Sequence, residues 1–318
     1  MEGMERFVKT RILCIALCIL TAFLMVRSSQ NVYEAMSPHG QSTATVLRLS
    51  CYASEEHPSA LSAQYFAELV DEKTEGRIRI QVVSGAELGS DEAAIEQLGF
   101  GGIAFAVVNT LSGPSSMVRL SGGKTCSLDR EMLDRQRISL LGSFSPDYRC
   151  IASSRGLITS AAECRGMNIG AYSSGLLEEG LEQYGFSVMP LSRGDAVSSV
   201  HYGYIDSVEL ALMSYATEEY AKTLPYLSFY DGLIAPDVLL CSQVSMGNLA
   251  AEDQLIIRKC ALYAETYQKT ILRERQDSAA AKLIEQGVAF YPEEIPHMPS
   301  SQWETLRGRF IGGGITYE

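Results

Sequence analysis

The chain has 318 residues, of which 46% are hydrophobic and 20% charged, and its formal net charge is −12. This length suits one large or two medium-sized globular units, and the composition excludes a disordered, collagen-like or multi-span membrane protein. The acidic balance and the lack of any Lys/Arg cluster beyond the N-terminal segment argue against nucleic-acid binding.

The N-terminal segment has the pattern of a secretory signal. Arg6, Lys9 and Arg11 precede an uncharged apolar run over residues 12–26, which is a basic region followed by a hydrophobic one. The run is short for a membrane-spanning helix, which needs about 20 apolar residues. Residues 1–28 are therefore predicted to be a cleaved signal peptide, with an uncleaved N-terminal anchor as the alternative. In either case the rest of the chain is predicted to be extracytoplasmic, in the periplasm or at the outer face of the cytoplasmic membrane.

Beyond a polar tether at residues 29–44, predicted strands and helices alternate along the chain. A helix is indicated where apolar residues recur at helical spacing, as at Leu61, Tyr65 and Leu69, and a strand where they alternate, as in residues 77–83. The predicted strands are 46–52, 77–83, 103–108, 138–144, 167–172, 188–191, 207–212 and 238–244, and the predicted helices between them are 59–73, 91–98, 128–135, 174–184 and 196–202. This alternation is typical of βαβ units and parallel sheets.

A much longer helix is predicted over residues 250–286, which contain no proline. It would extend roughly 55 Å at 1.5 Å per residue, more than one domain, so we expect it to brace two. The predicted fold is α/β: a two-lobed clamshell like that of periplasmic binding proteins, with parallel-type sheets and a long helix crossing both lobes. The predicted division is lobe I at 45–145 with return strands at about 233–249, lobe II at 146–232, the bracing helix at 250–287, and a C-terminal tail at 288–318 that packs on the lobes.

The six cysteines beyond residue 28 do not suggest a metal site. They are widely spaced, and no CxxC pair or Cys/His cluster occurs, so no zinc site is predicted. Export permits disulfides. Cys150 and Cys164 are the first pair to check, with buried free thiols as the alternative.

Signatures of catalysis are missing. The chain contains no GxSxG elbow, no Walker loop and no GxGxxG that opens a helix after a strand, and its four histidines are isolated. The protein is predicted to be a non-enzymatic binder without a cofactor. In open α/β sheets ligands bind at the carboxyl ends of the strands, here the loops that follow Tyr52, Val108, Tyr172 and Leu212.

Several short motifs occur in a fixed order over residues 45–291. They are HP (57–58), FAELV (66–70), EKTEGRI (72–78), GAELGS (85–90), AIEQL (94–98), LITSAAECRG (157–166), GYIDSVE (203–209) and LIEQGV (283–288). In this order they resemble the solute-binding proteins of TRAP (tripartite ATP-independent periplasmic) transporters. The resemblance implies two lobes that close on a small metabolite, such as an organic acid, and deliver it to membrane subunits of the transporter. The protein is expected to act as a monomer.

The resemblance also nominates ligand-binding positions, two of which depart from the family pattern. Members usually carry an arginine on the central strand that pairs with a substrate carboxylate, but that position is Gly170 here, and Leu210 stands where an asparagine is common. The full candidate set is Tyr52, Asn109, Arg149, Gly170, Tyr172, Glu209 and Leu210.

Each candidate has a structural alternative. Arg149 would be a surface arginine, Asn109 a turn cap, Glu209 a hinge residue, and Tyr52 and Tyr172 ordinary strand aromatics. Two other functions stay open at this point. A degenerate binding fold could act as an extracytoplasmic sensor or interaction module, and an exported enzyme would need an acid/base pair in the cleft.

Overall fold

The computed structural model describes residues 44–111, 118–121, 125–172, 175–191, 193–217, 220–230 and 232–297. The predicted signal or anchor, the tether up to residue 43, and the tail from residue 298 onward lie outside the described residues. Everything below belongs to the compact unit that begins at Thr45.

Strands and helices alternate through most of this unit. In chain order, the elements are β1 (Thr45–Cys51), α1 (Pro58–Lys73), β2 (Ile78–Val83), α2 (Asp91–Phe100), β3 (Phe105–Asn109), β4 (Val118–Ser121), β5 (Thr125–Leu128), α3 (Arg130–Arg135), β6 (Ile138–Ser143), β7 (Arg149–Ser153), β8 (Asn168–Ala171), α4 (Leu176–Tyr184), β9 (Ser187–Pro190), α5 (Ala196–His201), β10 (Ser207–Ala211), α6 (Leu212–Thr217), β11 (Tyr226–Phe229), β12 (Asp237–Ser242), α7 (Gln243–Gly247), α8 (Ala251–Glu285) and β13 (Ala289–Tyr291).

Local capping explains where the first helices begin and end. His57 precedes α1 and accepts a hydrogen bond from the Ser59 backbone, while Pro58 occupies the first helical position, where its missing N–H costs nothing. Ser90 caps α2 in the same way, and Gly101 ends that helix in the left-handed conformation at φ +79°, which glycine adopts without strain.

The strands form two mixed sheets and a hairpin. The first sheet has the order β2-β1-β3-β12-β6, the second β13-β11-β7-β10-β8-β9, and β4 pairs with β5. Pairings among β1, β2 and β3 and among β8, β9 and β10 are parallel, as the alternation predicted. The pairings of β12 with β3 and β6, and of β7 with β10 and β11, are antiparallel. The expectation of parallel-type sheets misses these pairs because β7 and β12 enter their sheets from the other sheet, without a crossover helix.

Helix α8 runs along both sheets. Its first half packs Ile257, Ala261 and Ala264 into the core around the first sheet, and its last turns pack Ala280 and Leu283 into the core beside the second. It is 35 residues long, about 50 Å, and lies within one residue of each predicted end. Within the described residues, no helix is both long and apolar enough to cross a bilayer.

The six described cysteines are all buried thiols outside any disulfide. Cys150 and Cys164 belong to different hydrophobic clusters, so this candidate disulfide is absent and the alternative of buried thiols holds. Burial raises the pKa of the Cys164 thiol to about 12, with the neighbouring Glu163 carboxylate acting in the same direction. Such thiols are chemically inert packing groups.

Candidate functional site: two adjacent sheet edges

Two short crossings bring one edge of each sheet together. Residues 144–148 connect the end of β6 to the start of β7, and residues 230–236 connect the end of β11 to the start of β12. The strand register adds the carboxyl ends of β1 and β3 to the first edge and those of β8, β9 and β10 to the second. One hydrophobic cluster continues from Val108 and Val238 through Tyr230 to Ile151 and Ala171. This is the location where α/β binding proteins hold their ligands.

The edge of the first sheet carries a polar cluster centred on Asp237. This carboxylate accepts hydrogen bonds from the Tyr52 hydroxyl at 2.7 Å, the Ser59 hydroxyl at 2.5 Å and the Asn109 side-chain amide at 2.7 Å. Asp237 opens β12 directly opposite Asn109, which ends β3, and Tyr52 directly follows β1. The three donors come from separate elements, so the Asp237 carboxylate fixes the positions of these elements relative to one another.

The edge of the second sheet carries an ion pair between Arg149 and Glu209. Arg149 opposes Ala211 on β10, so its side chain lies on the same face as that of Glu209. The Arg149 guanidinium donates to both carboxylate oxygens of Glu209: Nε lies 2.7 Å from Oε1, and Nη2 contacts Oε2. The Tyr230 hydroxyl also donates to Glu209 Oε1, at 2.7 Å. The side chains are 13% and 0% exposed.

The electrostatics of this pair favour a permanently charged arginine. Burial opposes the charge on Arg149, but the Glu209 carboxylate outweighs burial and holds the pKa of the guanidinium above its usual range. Burial raises the pKa of the Cys126 thiol on β5 to about 11, against the opposing effect of Arg149. The Cys126 backbone amide donates to the Ile234 carbonyl, so the β4–β5 hairpin contacts the 230–236 crossing.

The remaining predicted positions do not join either cluster. A Cβ built on Gly170 would lie 2.5 Å from Leu191 Cδ1 and 3.0 Å from Ile205 Cδ1, so this position faces apolar side chains. Leu210 is 1% exposed in the same hydrophobic cluster. Both positions alternate with Glu209 and Ala171 along their strands and face the opposite side of the sheet from Arg149.

Tyr172 is the third predicted position on that side of the second sheet. Its hydroxyl lies 2.5 Å from that of Tyr220, and its ring packs at the margin of the hydrophobic cluster. The structural alternative for Asn109 is also observed, because its side-chain oxygen accepts a hydrogen bond from the Leu111 backbone. Ligand contacts by the seven candidates stay predictions.

Sequence reasoning missed Asp237, Ser59 and Tyr230, the residues that hold the two clusters in place. Tyr230 is the first residue of the second crossing, Asp237 directly follows that crossing, and Ser59 lies in the first turn of α1. A polar residue at the start of a strand, such as Asp237, is a weak sequence signal for a functional position. The second crossing could not be recognised from sequence because strand β11 was not predicted. Within the described ranges, no group of three or more His, Cys, Asp or Glu side chains could hold a metal ion.

Two hydroxyl groups at the first edge have no partner among the described residues. Ser54 Oγ follows β1 and Thr110 Oγ1 follows β3, and both atoms are buried. Buried polar atoms are normally paired, so these two require an explanation.

Comparison with known proteins agrees with this architecture. The chain is 25% identical over 250 residues to a solute-binding protein of Chromohalobacter salexigens, a match that covers 73% of this chain and 74% of the relative. It is 19% identical to the 2,3-diketo-L-gulonate-binding periplasmic protein YiaO of Escherichia coli, covering 77% and 80%.

Solved structures show the same fold. A TRAP periplasmic solute-binding protein of Chromohalobacter salexigens with bound D-glucuronate aligns with a TM-score of 0.69 at 20% identity, covering 83% of this chain and 99% of the other. The sugar acid binding protein DctPAm of Advenella mimigardefordensis, in complex with galactonate, aligns with a TM-score of 0.71 at 18% identity, covering 84% and 94%. The predicted two-lobed α/β fold is confirmed.

The sequence model of the bacterial extracellular solute-binding proteins of family 7 (DctP) matches residues 49–114 and 119–305. These ranges include both crossings, helix α8 and both sheets apart from the first four residues of β1. The chain therefore belongs to the family 7 bacterial extracellular solute-binding proteins, a family of substrate-binding proteins rather than enzymes.

Proposed function

We propose that the protein captures a small, hydroxyl-rich metabolite between the two adjacent sheet edges and delivers it to the membrane subunits of a TRAP-type transporter. The observation that carries the proposal is the placement of two ordered polar clusters, around Asp237 and around Arg149–Glu209, on edges joined by both crossings. The relatives named above bind D-glucuronate and galactonate. These ligands have several hydroxyl groups, which suit the hydroxyl and amide side chains of the clusters.

Closure would occur by bending where the chain passes between the sheets. We propose lobe I at 45–145 with 233–249 and lobe II at 146–232. The strands of the two sheets support this division except for β13, which lies in the predicted C-terminal tail and pairs with β11 of lobe II. The first crossing is fastened to α8. Gln268 accepts from the Ser145 backbone at 2.8 Å, and Gln276 donates to Asp147 at 2.6 Å. We expect this crossing and α8 to move together, with the change in backbone angle concentrated in residues 230–236.

Export belongs to the same proposal. Residues 1–28 would direct the chain across the cytoplasmic membrane, which fits the extracytoplasmic site of action of its family. The lobes would then meet ligand and membrane subunits on the same side of that membrane.

A sensor or interaction module with the same fold is the second candidate. Two observations favour it. Leu191 and Ile205 pack against Gly170, and Arg149 is already paired with Glu209. Such a protein would keep the lobes without exchanging a solute.

A thermal-shift screen tests the proposal. Hexuronates, aldonates and the matching neutral sugars and polyols are each added to the purified protein. A ligand at 100 times its Kd should raise the free energy of unfolding by about 2.7 kcal/mol, a Tm shift of roughly 4 °C for a protein of this size.

The variant Asn109→Ala should weaken the shift, because it removes a donor that orders the first edge. The matched control Arg155→Ala, just beyond the opposite end of β7, should retain the full shift. An unshifted Tm across the whole panel would favour the sensor.

A further inference from the structure

The outer side of α8 carries a row of exposed side chains. They recur every three or four residues, which is the spacing of neighbours on one face of a helix. This row, the basic stripe, consists of Leu255, Lys259, Leu262, Thr266, Lys269 and Arg273. It extends about 27 Å at 1.5 Å per residue. It lies on the opposite side of the helix from Ile257, Ala261 and Ala264, which pack in the core.

The charge of the basic stripe contrasts with that of the whole protein. Residues 255–273 contain four Lys or Arg side chains and one carboxylate, Glu265, in a chain whose formal charge is −12. Glu265 points toward the first sheet, because its Oε2 lies 3.8 Å from a Cβ built on Gly142 of β6. Among the described residues, no carboxylate oxygen lies within 4.0 Å of the nitrogens of the three cations in the stripe.

The stability of the fold does not explain the basic stripe. Lys269 and Arg273 are four residues apart, a spacing at which like charges destabilise a helix. Leu255 is 54% exposed and Leu262 is 59% exposed, so neither leucine contributes much to the core. Cations without an internal partner, interleaved with exposed leucines on one line, are suited to a partner that is anionic and partly apolar.

A lipid surface with anionic headgroups fits this chemistry. The cationic nitrogens would meet headgroup phosphates, while the leucines and the long Lys and Arg stems would lie against the boundary of the acyl chains. Tyr263 follows Leu262 and is 58% exposed, and tyrosine is enriched at this boundary. A second copy seated through the same stripe would place cations against cations, which opposes a dimer through this face.

The chain enters the fold at the end of α8 where the basic stripe begins. The Thr45 backbone donates to the Arg77 carbonyl at 2.8 Å, and the Arg77 guanidinium pairs with Asp253 in the first turn of α8 at 2.7 Å. The predicted export signal and tether precede Thr45 in the sequence. A chain retained at the membrane through residues 1–28 would therefore be attached at this end of the helix.

We propose that the basic stripe of α8 docks on an anionic lipid surface and holds the protein beside the membrane in which its transporter lies. The attraction comes from the headgroup phosphates and acts on each lysine or arginine that reaches them. The inference goes beyond the proposed function, because this contact requires neither a bound solute nor closure of the lobes.

Cosedimentation with lipid vesicles tests the inference. The protein is used from residue 29 onward, the form that signal cleavage would leave, which contains the whole compact unit that begins at Thr45. Vesicles of phosphatidylglycerol and phosphatidylcholine should bind it at least ~10-fold more tightly than vesicles of phosphatidylcholine alone. Raising the NaCl concentration from about 0.05 M to about 0.5 M should abolish this preference, because the ions screen exposed charges.

A triple variant and a matched control locate the contact. Lys259→Gln/Lys269→Gln/Arg273→Gln should bind the anionic vesicles at least ~10-fold more weakly than the wild type, since each cation near such a surface adds to the attraction. The control Arg79→Gln/Arg135→Gln/Arg155→Gln removes the same charge from exposed arginines elsewhere and should retain binding. Glutamine is a good helix former, so the Tm of the first variant should stay close to that of the wild type.

Several results would overturn the inference and leave the proposed function standing. Equal binding of both vesicle types, or equal loss in the triple variant and its control, would show that the basic stripe does not select anionic lipid. A wild-type dimer that separates in the triple variant would assign the stripe to a second copy. Binding that requires transporter subunits in the vesicles would assign it to a protein partner. If the triple variant does not fold, the single variant Lys269→Gln and the lipid and salt dependence of the wild type decide.

Discussion

Mutation of Arg149 should reveal the energetics of a buried ion pair. Its side chain is 13% exposed and that of Glu209 is 0% exposed. Arg149→Ala therefore strands a desolvated carboxylate whose remaining donor, among the described residues, is the Tyr230 hydroxyl. Breaking such a pair from one side costs about 3–5 kcal/mol. That is a large fraction of the ~5–15 kcal/mol by which a folded protein is normally stable.

Arg155 provides the matched control. It pairs with Asp206 at 2.8 Å just beyond the other end of β7, but its side chain is 59% exposed. Solvent screens this pair, so Arg155→Ala should cost less than ~1 kcal/mol. Both variants replace an arginine with alanine near the same strand. The difference between their losses of stability therefore reports the effect of burial.

Urea unfolding followed by circular dichroism measures both variants. The midpoint should fall much further for Arg149→Ala than for Arg155→Ala, at an unchanged slope. The double variant Arg149→Ala/Glu209→Ala should be more stable than the sum of its single variants predicts, by at least ~1.5 kcal/mol. Equal losses for Arg149→Ala and Arg155→Ala, or strict additivity in the double variant, would refute the reasoning.

Three further outcomes are expected. Burial raises the pKa of Asp147 to about 6, so its neutral form is favoured in the folded state. The free energy of unfolding of the wild type minus that of Asp147→Asn should therefore fall by up to ~3 kcal/mol from pH 4 to pH 7, and a constant difference would contradict this. Gly170→Ala should destabilise the protein by ~1–2 kcal/mol through contact with Leu191, and Leu191→Ala in the same chain should recover part of the loss, measured by urea unfolding. The six buried thiols should resist an aromatic disulfide reagent in the native protein and react in denaturant, whereas rapid native labelling would show that the clusters open.

Much of the scaffold follows from local pattern. Alternating or continuous apolar runs identified β1, β2 and β3, and helical periodicity identified α1, because a buried face imposes its period on the residues that cover it. The length of α8 followed from an uninterrupted stretch without proline or glycine. Capping set the start of α3. Asp129 accepts hydrogen bonds from two backbone amides, so the helix begins at Arg130, two residues later than predicted.

Most strands that the sequence did not predict have neighbours distant in sequence, although β4 and β5 form a local hairpin. β7, β11 and β13 are short and lack a strong period, and they become strands because β10 and α8 bring their partners to them. The chain reaches β12 from the second sheet, and no local sequence pattern indicates that β12 pairs antiparallel with β3. Non-local pairing of this kind is decided by the packed chain rather than by any one segment.

The candidate site divides in the same way. The sequence by itself determined the export pattern, the family motifs, the α/β class and the positions of Tyr52 and Asn109 at strand ends. Only the tertiary structure decided that Glu209 occupies Arg149, that Asp237 gathers the donors of the first edge, and that Gly170 and Leu210 face an apolar core. The physical reason is that a side chain's charge partner depends on which strands lie side by side and on which face of the sheet it points from, and both are set by register across the whole fold.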